Sequence, residues 1–210
     1  MDIFNALLVI HILAGFTSLS AAFGAILAKK GMPTHRLCGK VFVGGMTIIF
    51  CTAVPMSLIN HDLFLFLIAF FSYYFALSGF MFARNRSGTP SVFAWIIAVI
   101  MLGIGITMLS YSLIHLHDQN YQNTVLIIFG IVSCLISTSD IKSYYYQSAT
   151  GNERIIKHLS AMLGATIATI TAFTVVNVHT NPGYIAWIAP TLVILPLIIW
   201  WKRKVMQGLS

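Results

Sequence analysis

Seven stretches of this chain are apolar for long enough to cross a bilayer, at 4–28, 41–59, 63–83, 92–114, 124–141, 158–178 and 184–201. A spanning helix needs roughly 20 such residues, so the second and seventh are near the lower limit. With 58% hydrophobic and only 8% charged residues, the chain cannot furnish the polar shell of a soluble domain. Lipid is the solvent that accepts such a surface. There, only helices and closed barrels satisfy every backbone polar group, and these runs lack the period-two alternation of barrel strands. The expectation is an all-α integral membrane bundle of about seven transmembrane helices. It forms a single transmembrane domain over 1–210, without linker, repeat or low-complexity tract.

The charges orient that bundle. All twelve Lys and Arg fall on alternate connections. Lys29, Lys30, Arg36 and Lys40 follow the first run, and Arg84 and Arg86 follow the third. Lys142, Arg154 and Lys157 separate the fifth from the sixth, and Lys202, Arg203 and Lys204 follow the seventh. The other connections, Asn60-His61-Asp62, His115 to Asn123 and Val178 to Gly183, are free of both. Cytoplasmic loops carry the Lys/Arg excess, which predicts an N-terminus outside the cytoplasm and a C-terminus inside. A count of six or eight spans would spoil the alternation. The run after Asp2 is too long for a cleaved signal and reads as a first span that also directs insertion.

This placement excludes other classes. A net charge of +7 suggests nucleic acid, but no basic face with interleaved aromatics exists, so the partner expected is the lipid bilayer. A homo-oligomer or a membrane partner is compatible with it. Cys38, Cys51 and Cys134 form neither a disulfide framework nor a metal knuckle and read as small buried hydrophobes. The last run has no lysine for a retinal Schiff base, and HExxH, GxSxG and P-loop motifs are absent.

Local signals mark ends and faces. Ser87-Gly88-Thr89-Pro90-Ser91 and Asn181-Pro182-Gly183 read as turns, with Ser91 as an N-cap, and Trp200-Trp201 before Lys202 as an interfacial belt. Pro55, Pro190 and Pro196 fall inside runs and predict kinks. Small residues recur at Ala14, Gly15, Ser18 and Ala22 in the first run and at Ser160, Gly164, Ala168 and Ala172 in the sixth. Such stripes allow close helix approach. They predict central first and sixth helices, with the Phe-rich third run (Phe64, Phe66, Phe70, Phe71) turned more to lipid.

Ionisable residues inside a membrane are costly and are the candidates for function. An inner polar cluster gathers His35, Arg36, Asp140, Arg154 and His158 at one end of three runs. Asp140 shares a helical face with Gly130, Ser133 and Ser137, and Arg36 or His158 could supply its counter-charge. An outer group holds His11, His61, His115, His117 and His179. His11 should lie roughly 10 Å below the outer surface, where a neutral imidazole needs partners. His115 and His117 with Asp118 could hold a divalent ion. His158 and His179 share a broad face but, about 31 Å apart, cannot ligate one centre.

The residues His11, Gly15, Lys29-Lys30-Gly31, His35-Arg36 and Gly39 form a pattern, His-x3-Gly followed by a basic glycine turn and His-Arg-x2-Gly. With Arg154-x3-His158-x3-Met162 and Thr171-Ala172-Phe173, the chain resembles a family of bacterial multi-pass membrane proteins built on a domain of unknown function. The likeness covers the first quarter of the chain and the sixth run. It implies a bacterial cytoplasmic (inner) membrane location, brings no activity, and marks His11, His35, Arg36 and His158.

Three functions are compatible with these residues. The first is a non-enzymatic sensor, accessory or assembly subunit whose inner cluster is structural. The second is a membrane redox or metal protein, with haem or metal ligands drawn from His11 and His179 outside and His35 and His158 inside. The third is proton-coupled transport through Asp140. No catalytic residue is identified, and the cofactor is open, with haem or a divalent metal as candidates.

Overall fold

The computed structural model describes residues 2–115, 117 and 120–208. It is all-helical there, with α1 Ile3–Leu27, α2 Pro33–Ile59, α3 Leu63–Arg84, α4 Val92–Ile114, α5 Tyr121–Tyr145, α6 Gly151–Asn177 and α7 Tyr184–Met206. Each has 22 to 27 residues and the hydropathy of a membrane span. At 1.5 Å per residue they measure about 33 to 40 Å, enough to cross a hydrocarbon core of about 30 Å. Several begin or end outside their apolar runs. Thus α2 starts at Pro33 and α6 at Gly151, because a polar helical turn at the interface keeps its backbone bonds after hydropathy has fallen. His35 and Arg36 therefore sit on the first turn of α2, not in a loop before it.

Side chains fix the ends. Pro33 occupies the first turn of α2, where its missing N–H costs nothing. Asp62 Oδ1 accepts from the Leu65 amide at 2.9 Å and Ser91 Oγ from the Ala94 amide at 3.2 Å. At the other end of α1, Lys30 Nζ donates to the Ile26 carbonyl at 2.6 Å and to the Ala25 carbonyl at 3.1 Å. Its charge complements the negative end of the helix dipole, and Nζ stands 4.7 Å from the Trp201 ring centre.

Contrary to the sequence expectation, α3 is the central helix. It packs against α2, α4, α5 and α6, with Phe64 and Phe71 buried and Phe66 and Phe70 half-buried. Phe71 stacks on Phe129 at 4.7 Å, and Phe64 meets Trp187 edge-on at 4.9 Å. Hydrophobicity does not distinguish lipid from protein interior, so phenylalanine content could not say which way the helix faced. Helix α1 is peripheral: only Ala14, Ser18, Ala21 and Ala22 are buried. Its small residues serve one partner, since a Cβ on Gly45 of α2 would collide with the Ser18 hydroxyl. Helix α6 is more interior, against α1, α3 and α7. Cys51 is exposed on the bundle surface and Cys38 and Cys134 are half-buried, all three free thiols. That corrects the reading of all three as buried.

Helices α5 and α6 make no backbone contact, and α3 stands between them. Polar side chains from α5 and α6 consequently meet across one face of α3. The fold thereby places a polar site at the end of the bundle where Lys and Arg collect.

Candidate functional site at the basic end

The site begins with the serine-rich face of α5. Gly130, Ser133, Ser137 and Asp140 are all buried there, as their spacing predicts. Ser133 and Ser137 donate to carbonyls one turn back, at 2.6 and 2.7 Å, so those hydroxyls are satisfied within their own helix. Asp140 is only 3% exposed and looks to other helices. Its Oδ2 accepts from the Tyr74 hydroxyl at 2.7 Å and the Ser78 hydroxyl at 3.0 Å, both on α3.

Its counter-charge is Lys157 of α6, with Nζ 2.9 Å from Oδ1. Neither Arg36 nor His158 takes that role. The ammonium has three protons, and three acceptors receive them: Asp140 Oδ1, the Ser139 carbonyl at 3.0 Å and the Ser139 hydroxyl at 2.7 Å. A buried pair is stable when such hydrogen bonds offset desolvation. This half of the site is neutral and saturated. Beside it, one turn along α5, the buried Tyr144 hydroxyl has no hydrogen-bond partner among the described residues.

Arg154 caps a helix. Its Nη1 donates to the Phe82 and Ala83 carbonyls at 3.2 and 2.7 Å, two of the orphan acceptors at the end of α3. Arg36 is exposed, with no side-chain hydrogen bond or ion pair among the described residues.

The histidines differ in kind. His35 Nδ1 lies 2.9 Å from the Ala25 carbonyl of α1, and His158 Nδ1 lies 2.8 Å from the Gly79 carbonyl of α3. A carbonyl only accepts, so each Nδ1 carries a proton, and in the neutral form of either ring the lone pair lies on Nε2. Among the described residues neither Nε2 has a partner. The rings, from α2 and α6, meet with centres 6.4 Å apart and planes at 89°. Two imidazoles with one nitrogen fixed to a backbone carbonyl and the other bare have the outer-shell arrangement of metal-ligating histidines. A group of three or more His, Cys, Asp or Glu able to hold a metal does not occur among the described residues.

Gly79 makes this possible. A Cβ there would lie 2.9 Å from the Met162 side chain and 3.1 Å from the Met162 amide nitrogen. Its absence lets α6 approach α3 until His158 reaches the carbonyl.

The remaining candidates stay apart. His11 Nδ1 is 2.9 Å from Thr52 Oγ1. The Thr52 hydroxyl directs its own proton to the Ile48 and Ile49 carbonyls, so it accepts from His11. Thr52 lies on α2, about 26 Å along the axis from His35, which separates His11 from the pair. His61, His117 and His179 are exposed. His115 holds the Tyr111 carbonyl at 2.8 Å and stacks on that ring. Asp118, the third member of the suggested loop site, is outside the described residues.

Lys157, Tyr74 and Ser78 were missed from sequence. A tyrosine and a serine four apart, Tyr74 and Ser78, on a largely apolar helix were the available signal, since that spacing puts both on one face. No family model, no curated protein and no solved structure matches the chain.

Proposed function

We propose that this is a histidine-ligated metal or redox protein of the bacterial cytoplasmic membrane, with its N-terminus outside, its C-terminus inside and its centre at His35 and His158. The single observation that carries the reading is the pair of adjacent imidazoles, each with Nδ1–H committed to a backbone carbonyl and Nε2 without a partner among the described residues. Here four helices converge to hold two rings and leave two lone pairs over.

The polar cluster then has two halves with different work. Asp140, Lys157, Tyr74 and Ser78 are the mount: they tie α3, α5 and α6 together without a free valence. The histidines are the site. The orientation rests on the confinement of Lys and Arg to one end of the helices. Proton-coupled transport through Asp140 is the weaker reading, because proton uptake there would break a saturated ion pair.

Elemental analysis and an optical spectrum of the protein purified from a metal- and haem-replete host test the proposal. Stoichiometric metal that is lost in His35→Ala and His158→Ala, and kept in His61→Ala, is the expected result. Metal-free protein, unable to take up metal on addition, would overturn it.

A further inference from the structure

The number of ligands, their separation and the surrounding charge narrow the metal. The site offers two nitrogens, and among the described residues no cluster of three or more His, Cys, Asp or Glu enlarges the set. Metal–nitrogen bonds of about 2.0 Å on one line, with roughly 1.1 Å from nitrogen to ring centre at each end, separate the centres by roughly 6.2 Å; a tetrahedral angle would bring them to about 5 Å. The observed 6.4 Å is the spacing that a linear link between the two Nε2 atoms would give. Rings ligated along one line are free to rotate about it, so an interplanar angle of 89° is compatible.

The electrostatics point the same way. Arg154 is one turn from His158 on α6 and Arg36 adjoins His35 on α2, while Asp140, the carboxylate of the polar cluster, is already paired with Lys157 at 2.9 Å. A dication placed there would face uncompensated positive charge in a poorly screened region; a monocation faces half of it. The Met162 thioether, packed on Gly79 one turn beyond His158, adds a soft, polarisable neighbour. A porphyrin needs a broad slot between its axial ligands; the cavity at Phe16, Leu37 and Cys38 and the one at Phe82, Asn85 and Tyr144 touch neither ring.

We propose that His35 and His158 bind one Cu(I) ion through their Nε2 atoms in a linear, two-coordinate arrangement. Cu(I) is the common d10 monocation that accepts imidazole and needs no more than two ligands, whereas structural Zn(II) requires four. The inference rests on the metal-site reading above and specifies its occupant.

The test is anaerobic titration of the purified protein with Cu(I) against a chromogenic Cu(I) chelator, alongside Zn(II) and haem, followed by X-ray absorption at the copper edge. One Cu(I) per chain with two nitrogen neighbours is expected. Affinity should fall about a hundredfold or more in His35→Ala and in His158→Ala, and by roughly tenfold in Met162→Leu, where a neighbouring group is lost but both ligands remain. His61→Ala should bind as the parent does. Because His158→Ala also loses a helix contact, each variant is compared at equal monodispersity, and His35→Ala, at the edge of the bundle, decides if His158→Ala does not fold. A stoichiometric Soret band abolished by the same substitutions, or Zn(II) held more tightly than Cu(I), would overturn the copper assignment and leave the metal reading standing. Failure to bind any of the three overturns both.

Discussion

Lys157 and Asp140 meet at 2.9 Å across the face of α3, from two helices whose backbones do not touch. The link is part of what sets the spacing of α5 and α6, and it concentrates the bundle's one described ion pair at the end that also carries the histidine pair. Removing either charge leaves the other unpaired, and Asp140 is only 3% exposed.

Asp140→Asn should therefore destabilise the protein by about 3–5 kcal/mol, the usual penalty for breaking a buried pair on one side. Asp140→Asn combined with Lys157→Met should recover a large part of that loss, because no charge then remains to be solvated. Denaturant unfolding in detergent, read as a double-mutant cycle, checks both. With Lys157→Met alone completing the cycle, a double-variant loss equal to the sum of the two single losses would show that the pair is not coupled.

Gly79→Ala addresses the α3–α6 approach. The added methyl meets Met162 at 2.9 Å, so the helices must separate by a few tenths of an ångström. The expected loss is about 1–3 kcal/mol of stability, typical of overpacking. Metal affinity should fall as well although no ligand has changed, since His158 is drawn away from the carbonyl that orients it. An unaltered affinity would mean that the Gly79 contact does not position the ring.

Much of this architecture was legible in the residues. Seven helices follow from apolar length, and the buried α5 face from the spacing of Gly130, Ser133, Ser137 and Asp140, because both depend on one helix at a time. The partner of Asp140 was not. Arg36, Arg154, Lys157 and His158 lie at similar depth, and only the rotation of each helix about its axis selects among them. That rotation is set by packing between helices, which a single sequence does not display. The same limit explains why α3 was read as facing lipid: Phe64 and Phe71 would look alike on either side. His35 and His158 were both flagged, yet nothing in their spacing showed that they touch.

The orientation is open to a direct test. In a background with Cys38, Cys51 and Cys134 replaced by alanine, single cysteines at Asn60, His117 and Ser148 sample the exposed connections. A membrane-impermeant maleimide added to intact cells should label Asn60→Cys and His117→Cys, and reach Ser148→Cys only after lysis. Labelling of all three in intact cells, or of Ser148→Cys alone, would refute the topology read from the basic residues.

Thr52→Val separates the outer histidine from the metal centre. The substitution keeps the shape of the side chain and removes the acceptor that His11 Nδ1 uses at 2.9 Å. A half-buried donor then lacks its partner, and the expected cost is about 1–3 kcal/mol. Because Thr52 and His35 lie about 26 Å apart along α2, metal content and the copper-edge spectrum should not change. Unfolding curves and elemental analysis on the same preparation read the two effects independently. Metal lost from a stably folded Thr52→Val protein would place His11 among the ligands and so break the assignment of the centre to His35 and His158.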